Sequence, residues 1–349
     1  MTIQENVKLA PYTTFKIGGP ADFFCSVTSE DDVREAVEYA REKKIPFFVV
    51  GGGSNLLISD KGFRGLVILN EMKGVKYEKV NSKKEKEDKK EAGGIVSAAA
   101  GESWDGFVEY AVSQGFSGLE NLSSIPGTVG ASAVQNLGAY GVTAGQFIHA
   151  VRAFDTREMK FVELSNADCD FEYRDSVFKH EKGRYVITGV DFKLEKGGKV
   201  NIEYKDLKEY FAGKKINAPT PREVREAVIS IRANKLPDWK LWGTAGSFFK
   251  NPVISAQEYA SLKEKYPGLP GFPEAGGKVK LALAWILDNI CHAKGMMNGN
   301  VGTYEKQALV FVAKPGATAA EVVGLAQELM KRVKDATGVT IEGEVERVN

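Results

Sequence analysis

Val49 to Asp60 reads VVGGGSNLLISD, with three consecutive glycines between one apolar run and the next. IPFFVV before them and LLIS after them are both patterned as strands, so the glycines join strand to strand. The dinucleotide fingerprint of doubly wound folds needs GxGxxG opening a helix, but Gly51 and Gly53 are followed by Leu56 where the last glycine would stand. That fold is set aside. Two readings of Gly51 to Asn55 remain open. One is a tight turn using the freedom of glycine at positive φ. The other is a row of amides, helped by the Ser54 and Asn55 side chains, converging on an anion.

The chain has 349 residues, enough for two or three domains, and 47 Lys plus Arg against 46 Asp plus Glu leave a net charge of +1. A polynucleotide demands a basic face, so no nucleic-acid partner is expected. Cys25, Cys169 and Cys291 are far apart and form no CxxC, which argues against a disulfide framework and against a zinc site, and no metal is expected. A reducing cytoplasm fits this usage. The N-terminal MTIQENVKLAPYTTF has no basic flank followed by an apolar core, and no apolar run is long enough to span a bilayer. No export and no membrane are therefore expected.

SEDDVREAVEYAREKK places Val33, Ala36, Val37 and Ala40 at helical spacing behind a capping box of Ser29 and Asp32. GLVIL, YEKV and GIVSAAA read as strands, the last two bracketing a charged segment, 79–93, expected as a solvated hairpin tip. GESWDGFVEYAVSQG brings Trp104, Phe107, Val108 and Ala111 onto one helical face. AVRAFD, KFVEL, YVITGVDFKL and VNIEY read as further strands. Beyond a boundary near 237 come helices around 255–265 and 280–290, a strand ALVFVA, a helix capped by Thr318 and Glu321, and a closing strand VTIEGEVERV. The class is α+β.

SIPGTVGASAVQNLGAYG is a second small-residue segment. Pro126 suits a first helical position, and Gly127, Gly130, Ala131 and Val134 make a nearly bare stripe. Such a stripe admits a close neighbour. Alternatively, Thr128, Ser132, Gln135 and Asn136 offer neutral partners to a planar, amide-rich ring beside a pyrophosphate. Two glycine-rich segments, neither of the doubly wound type, point toward a flavin dinucleotide.

In GTAGSFFKNP, Ala245 and Phe249 stand where an esterase elbow needs glycines, and the chain has only His149, His180 and His292. Ser247 is read as a proton donor in a desolvated site or as a turn serine. Lys250 and Asn251 are placed to meet a phosphate or carboxylate. In FEYRDSVFK, Tyr173 and Arg174 stand among acids, so Arg174 is either a surface ion-pair partner or a bidentate carboxylate ligand. Glu342, Glu344 and Glu346 alternate onto one strand face, and alternation alone does not choose among them.

TTFKIGGPADFF, VVGGGSNLL, SSIPGTVGASAVQNLGAYG, FEYRDSVFK, GTAGSFFKNP, KQALV and IEGEVERV, in this order over nearly the whole chain, closely resemble the UDP-N-acetylenolpyruvoylglucosamine reductase family. The resemblance implies a cytoplasmic enzyme of peptidoglycan-precursor synthesis with noncovalent FAD, and a monomer is expected. NADPH would drive reduction of the enolpyruvyl ether to the lactyl ether of UDP-N-acetylmuramate. It implies an α+β fold whose two-part FAD-binding region is like that of vanillyl-alcohol oxidase, with a smaller α+β substrate domain. The expected parts are 1–70, then 71–236 completed by 337–349, and a substrate domain over 237–336.

By the same resemblance, FAD is expected at Gly51, Gly52, Gly53, Ser54, Asn55 and Leu56. Its further contacts are expected at Ser124, Ile125, Pro126, Gly127, Thr128, Gly130, Ala131, Ser132, Gln135, Asn136, Gly138, Ala139, Tyr140 and Arg232. Ser247 is expected as proton donor, with Arg174 and Glu344 as its catalytic companions. Tyr173, Tyr204, Lys235, Lys250 and Asn251 are expected at the substrate, Tyr204 matching a tyrosine on a mobile segment of the longer family type. The chain departs from the pattern in a longer 79–93 segment and in WILDNICHAKG, which lacks the glutamine expected in that helix. Two rivals are an oxidase of the same wider fold and a sugar-nucleotide-binding protein without catalysis. Neither glycine-rich segment holds the His or Cys that a covalent flavin tether would use.

Overall fold

The capping box at the first helix is formed. The Ser29 hydroxyl accepts the Asp32 N–H at 3.1 Å, and the Asp32 carboxylate accepts the Ser29 N–H at 3.0 Å. Val33, Ala36, Val37 and Ala40 are buried along one face. The computed structural model describes residues 1–79 and 93–349. The described chain falls into two units: 1–7, 21–52 and 64–234 form the first, and 8–20, 53–63 and 235–349 the second. Segments 8–20, 53–63 and 337–349 thus join the C-terminal unit.

The chain opens with β1 (Gln4–Lys8), β2 (Pro20–Val27), α1 (Glu30–Lys43), β3 (Phe47–Val50), β4 (Leu56–Ile58) and β5 (Phe63–Asn70). One sheet has the order β1-β2-β5-β3, with β3 and β5 parallel. A parallel pair needs a crossover, and residues 51–62, which carry the glycines, supply it. Next come β6 (Val75–Lys79), β7 (Gly94–Ala99), α2 (Trp104–Ser113), β8 (Phe116–Ser117), α3 (Val129–Val134), β9 (Gly138–Ala139) and β10 (Val142–Thr143). They are followed by β11 (Ile148–Asp155), β12 (Lys160–Ser165), α4 (Val177–His180) and β13 (Tyr185–Lys196).

The second sheet runs β12-β11-β13-β7-β6, with β8 also on β13, all antiparallel. It carries α2 through Trp104, Phe107 and Phe192, the Phe107 and Phe192 rings 4.7 Å apart. Such tilted pairs add about 0.5–1.5 kcal/mol beyond area burial. Helices α5 (Lys205–Lys214) and α6 (Pro221–Lys235) share a small core of Leu207, Phe211, Val224, Ala227, Val228 and Ile231.

The second unit adds β14 (Val253–Ser255), α7 (Ala256–Lys265), β15 (Gly271–Glu274), β16 (Lys278–Leu281), α8 (Leu283–Asn289) and β17 (Met297–Asn298). It ends with β18 (Val301–Tyr304), β19 (Gln307–Ala313), α9 (Ala319–Thr337) and β20 (Glu346–Val348). The orders are β14-β16-β15, β17-β18-β19 and β20-β4, the last pair parallel. Helix α9 buries Ala319, Val322, Leu325, Ala326, Leu329 and Val333. Its N-terminus is capped twice, by the Thr318/Glu321 box and by Asp60, whose carboxylate accepts the Ala319 and Ala320 amides at 2.8 and 3.0 Å.

Several sequence expectations are corrected. Pro126 is not a first helical residue, because α3 starts at Val129 with Thr128 as N-cap. VNIEY forms no strand: Val200 and Ile202 instead pack on the core of α5 and α6. The closing strand shrinks to β20, so Glu342 and Glu344 do not share a strand face with Glu346. The expected hairpin tip falls mostly on 80–92, outside the described residues, while its flanks pair with Lys79 opposite Gly94.

Candidate active site

The glycines of the first segment approach the second segment. A Cβ built on Gly52 would lie 2.7 Å from the Gly127 Cα, and one on Gly51 would overlap the Thr128 hydroxyl. Gly53 adopts φ +58, and its side-chain direction is closed by the Tyr12 carbonyl. The amides of Gly52, Gly53 and Ser54 donate to no protein acceptor among the described residues. At the N-terminus of α3 the first two amides are used within the protein, since Val129 and Gly130 N–H donate to the Glu102 and Ala100 carbonyls, each at 2.9 Å. The loop amides are the donors placed for an anion. A Cβ-free cradle with free amides, and no tethering side chain, fits a noncovalently held dinucleotide.

Beyond the cradle, Ser124 is a backbone hub in the left-handed region, at φ +59. Its N–H donates to Asp105 Oδ1 at 2.5 Å, and its carbonyl accepts from Arg232 Nε at 3.1 Å. Arg225 clamps Asp105 with two bonds, 2.6 and 3.2 Å. Arg225 and Arg232 stand two turns apart on α6, so one helix face presents both. Burial works against the Asp105 charge, yet the bonds from Arg225 and the Ser124 amide prevail and hold its pKa below the usual value. Burial lowers the pKa of Arg232 and pushes the Tyr140 phenol, its hydrogen-bond partner, up to about 12. Sequence reasoning missed Asp105 and Arg225. The available signal was an arginine set within the apolar stripe of Val224, Ala227, Val228 and Ile231.

Asn136, Tyr140 and Arg174 also have positive φ, at 40°, 49° and 57°. With Ser124, four expected site residues hold a conformation rare for non-glycines, and such outliers cluster at functional sites. Arg174 Nη2 donates to the Gly138 carbonyl at 2.6 Å and lies over the Tyr173 ring. The Lys179 ammonium donates to the Arg174 carbonyl at 2.7 Å. Asn136 bridges the Glu172 carbonyl and the Gly145 amide, joining the FEYRDSVFK segment to the end of the glycine-rich one. Ser132 is buried, and its hydroxyl donates to the Val129 carbonyl at 2.7 Å. Ile125 and Ala139 pack against the core of this unit, while Ala131 and Gln135 are half-buried. Tyr204 is 46% exposed, and its ring is edge-on to Tyr140 at 5.3 Å.

In the second unit, the Ser247 turn pairs with the chain end. Phe249 opposes Gly343, the Glu344 N–H donates to the Phe248 carbonyl at 2.8 Å, and the Lys250 N–H donates to the Glu342 carbonyl at 3.0 Å. On its other side, Ser247 pairs with Val310. The first glycine-rich segment is tied into both strands of this arrangement. The Thr14 N–H donates to the Gly53 carbonyl at 3.2 Å, and the Thr14 hydroxyl donates to the Thr244 carbonyl at 2.6 Å. The Gly246 N–H reaches the Thr244 hydroxyl at 3.2 Å, and Asn55 Nδ2 donates to the Glu344 carbonyl at 3.1 Å. Leu56 lies in β4, opposite Glu346. Among the described residues no protein group bonds the Ser247 hydroxyl, which leaves its proton available.

Glu344 and Glu346 are half-buried and Glu342 is exposed. Asn251 uses its side-chain oxygen to accept the Leu283 N–H at 3.1 Å, capping α8. Lys235 is exposed at the end of α6. Arg174 belongs to the first unit, and Ser247 and Glu344 to the second. Among the described residues, no cluster of His, Cys, Asp or Glu suits a metal ion, and no helix is long and apolar enough to cross a membrane.

The chain is similar to known proteins along its length. The FAD binding domain family matches residues 21–164, and the UDP-N-acetylenolpyruvoylglucosamine reductase C-terminal domain matches 237–348. The UDP-N-acetylenolpyruvoylglucosamine reductase of Chromobacterium violaceum is 42% identical over 348 residues, covering 99% of both chains. That of Neisseria gonorrhoeae is 43% identical over 332 residues, 94% of this chain and 92% of its own. Among solved structures, the UDP-N-acetylenolpyruvylglucosamine reductase of Thermus caldophilus shares the fold at a TM-score of 0.67, with 24% identity and 100% of both chains covered.

Proposed function

Because the chain belongs to the UDP-N-acetylenolpyruvoylglucosamine reductase family, we propose that Ser247, Arg174 and Glu344 carry the chemistry of that reaction. The protein is an FAD-containing oxidoreductase of peptidoglycan synthesis with NADPH as reductant, acting on a UDP-sugar. In our reading, Gly51–Leu56, Ser124–Gly141 and Arg232 hold the cofactor, and residues 237–336 form the substrate domain.

FAD held there and reduced by NADPH would supply the hydride for the terminal carbon of the enolpyruvyl group. Charge then grows toward the substrate carboxylate as an enolate. Arg174 stabilises that charge, where one preorganised donor is worth about 2.7–4 kcal/mol. Ser247 delivers its hydroxyl proton to the adjacent carbon, for which an unbonded hydroxyl is suited. Glu344 polarises a hydrogen-bonded group or water rather than facing the enolate directly, since like charges repel. Tyr173, Tyr204, Lys235 and Lys250 bind the substrate, and Asn251 contributes its amide N–H beside its capping role.

The supporting observation is the pairing of the Ser247 turn with the Glu344 segment, both tied to the glycine-loop residues Gly53 and Asn55. Anaerobic mixing with NADPH and UDP-N-acetylenolpyruvoylglucosamine, followed by identification of the product, tests the assignment. Failure to form UDP-N-acetylmuramate would reject it. We also read the protein as cytoplasmic, supported by three buried free cysteines, and as a monomer. Sedimentation at micromolar concentration tests the monomer.

A further inference from the structure

Tyr140 and Gly141 form the two-residue loop between β9 and β10, with φ of 49° and 80°. Positive φ at both positions is the type I′ geometry, which favours Asn, Asp or Gly at the first. A tyrosine there costs about 1–2 kcal/mol in backbone strain, so its side chain must repay the position. Its ring meets Tyr204 and its phenol meets Arg232.

Asn121 secures that arrangement from beneath. It is fully buried, and its Nδ2 donates to two main-chain carbonyls, Tyr140 at 2.9 Å and Asn201 at 2.8 Å. Two carbonyl partners fix the amide orientation, since the reverse would set oxygen against oxygen. Asn201 lies three residues before Tyr204 in a segment without strand or helix. Its own side chain closes a local turn by accepting the Glu203 N–H at 3.0 Å. One buried amide therefore joins the cofactor loop to the stretch that delivers Tyr204.

We infer that Asn121 is a positioning residue that fastens the Tyr204-bearing segment to the Tyr140 turn and so sets the substrate affinity Tyr204 provides. This rests on the reading of Tyr204 as a substrate-binding residue. Asn121 itself is fully buried. Its effect is transmitted through the two carbonyls, and an aspartate would not replace it because a carboxylate there would face both.

The test is a double-mutant cycle read in the KM for UDP-N-acetylenolpyruvoylglucosamine, using Asn121→Ala, Tyr204→Ala and the double variant as flavin-loaded enzymes. Loss of one clamp predicts a KM rise of roughly ten-fold for Asn121→Ala, and the double variant should be no worse than Tyr204→Ala. An unchanged KM for Tyr204→Ala would reject the role of Tyr204 itself. If Tyr204→Ala raises KM but Asn121→Ala does not, or the two effects multiply, Asn121 is structural only and the inference is overturned. Should Asn121→Ala fail to fold, Asn121→Ser, too short to reach both carbonyls, breaks the same clamp with a smaller void. The same non-additive KM rise is expected there, and an unchanged KM contradicts the inference.

Discussion

Asn55 holds Glu344 by its main chain: the Asn55 amide donates to the Glu344 carbonyl at 3.1 Å, while the Asn55 carbonyl accepts the Glu346 N–H at 2.9 Å. The last residues of the glycine segment thereby fix the backbone from Glu344 to Glu346, just after the proposed catalytic glutamate. Asn55→Ala leaves a partly buried carbonyl unpaired, at a cost of about 1–3 kcal/mol. A lower Tm and slower flavin reoxidation by substrate are expected together. Asn55→Asp sets a carboxylate against the carbonyl and should be no better than alanine. An Asn55→Asp variant as stable as wild type would contradict the contact.

The backbone contact between Gly52 and Gly127 leaves no room for a side chain on Gly52. Gly52→Val should force the two segments apart and open the cradle, giving purified protein with little flavin absorbance. Gly130→Val acts differently, because its Cβ would lie 2.8 Å from the Ala100 Cβ and disturb the seating of α3. Its flavin loss should come with a clear drop in Tm, as expected for overpacking at about 1–3 kcal/mol. Full flavin content in Gly52→Val would reject the cradle.

Glu120 is fully buried, and burial raises its pKa despite the Gly118 N–H bonded to it at 2.6 Å. A carboxyl whose folded pKa exceeds its unfolded value contributes stability that is fully present below the unfolded pKa, about 4.3. That contribution is lost as pH rises through the folded value. Glu120→Gln does not titrate, so its Tm relative to wild type should improve as pH is raised from the unfolded carboxyl pKa through the raised folded one, and then level off. A Tm difference independent of pH would show that Glu120 ionises as freely in the folded chain as in the unfolded one.

What the sequence could reveal was set by how local the determinants are. The caps at Ser29 and Thr318 and the apolar faces of α1, α2 and α9 are written in neighbouring residues, so they were readable. The glycines were readable as bare backbone, but their partner was not. Nothing near Gly52 signals Gly127, and the bonds linking Thr14, Thr244 and Gly53 join three distant segments. Alternation misled twice for one reason. VNIEY alternates because Val200 and Ile202 cover a helix pair. VTIEGEVERV alternates, yet only Glu346–Val348 finds a strand partner. Period-two patterning reports a half-buried extended chain, whether or not a neighbour completes the ladder.

The most direct test of the account is the rate of flavin reoxidation by UDP-N-acetylenolpyruvoylglucosamine in Ser247→Ala, followed by anaerobic stopped-flow after reduction with NADPH. General acid catalysis contributes about 10² to 10⁴ in rate, so reoxidation should slow by roughly that factor. Flavin reduction by NADPH does not use this proton and should stay near the wild-type rate. Ser247→Cys, which still carries a proton, should keep more activity than alanine. Unchanged reoxidation in Ser247→Ala, or equal slowing of both half-reactions, would contradict Ser247 as the proton donor.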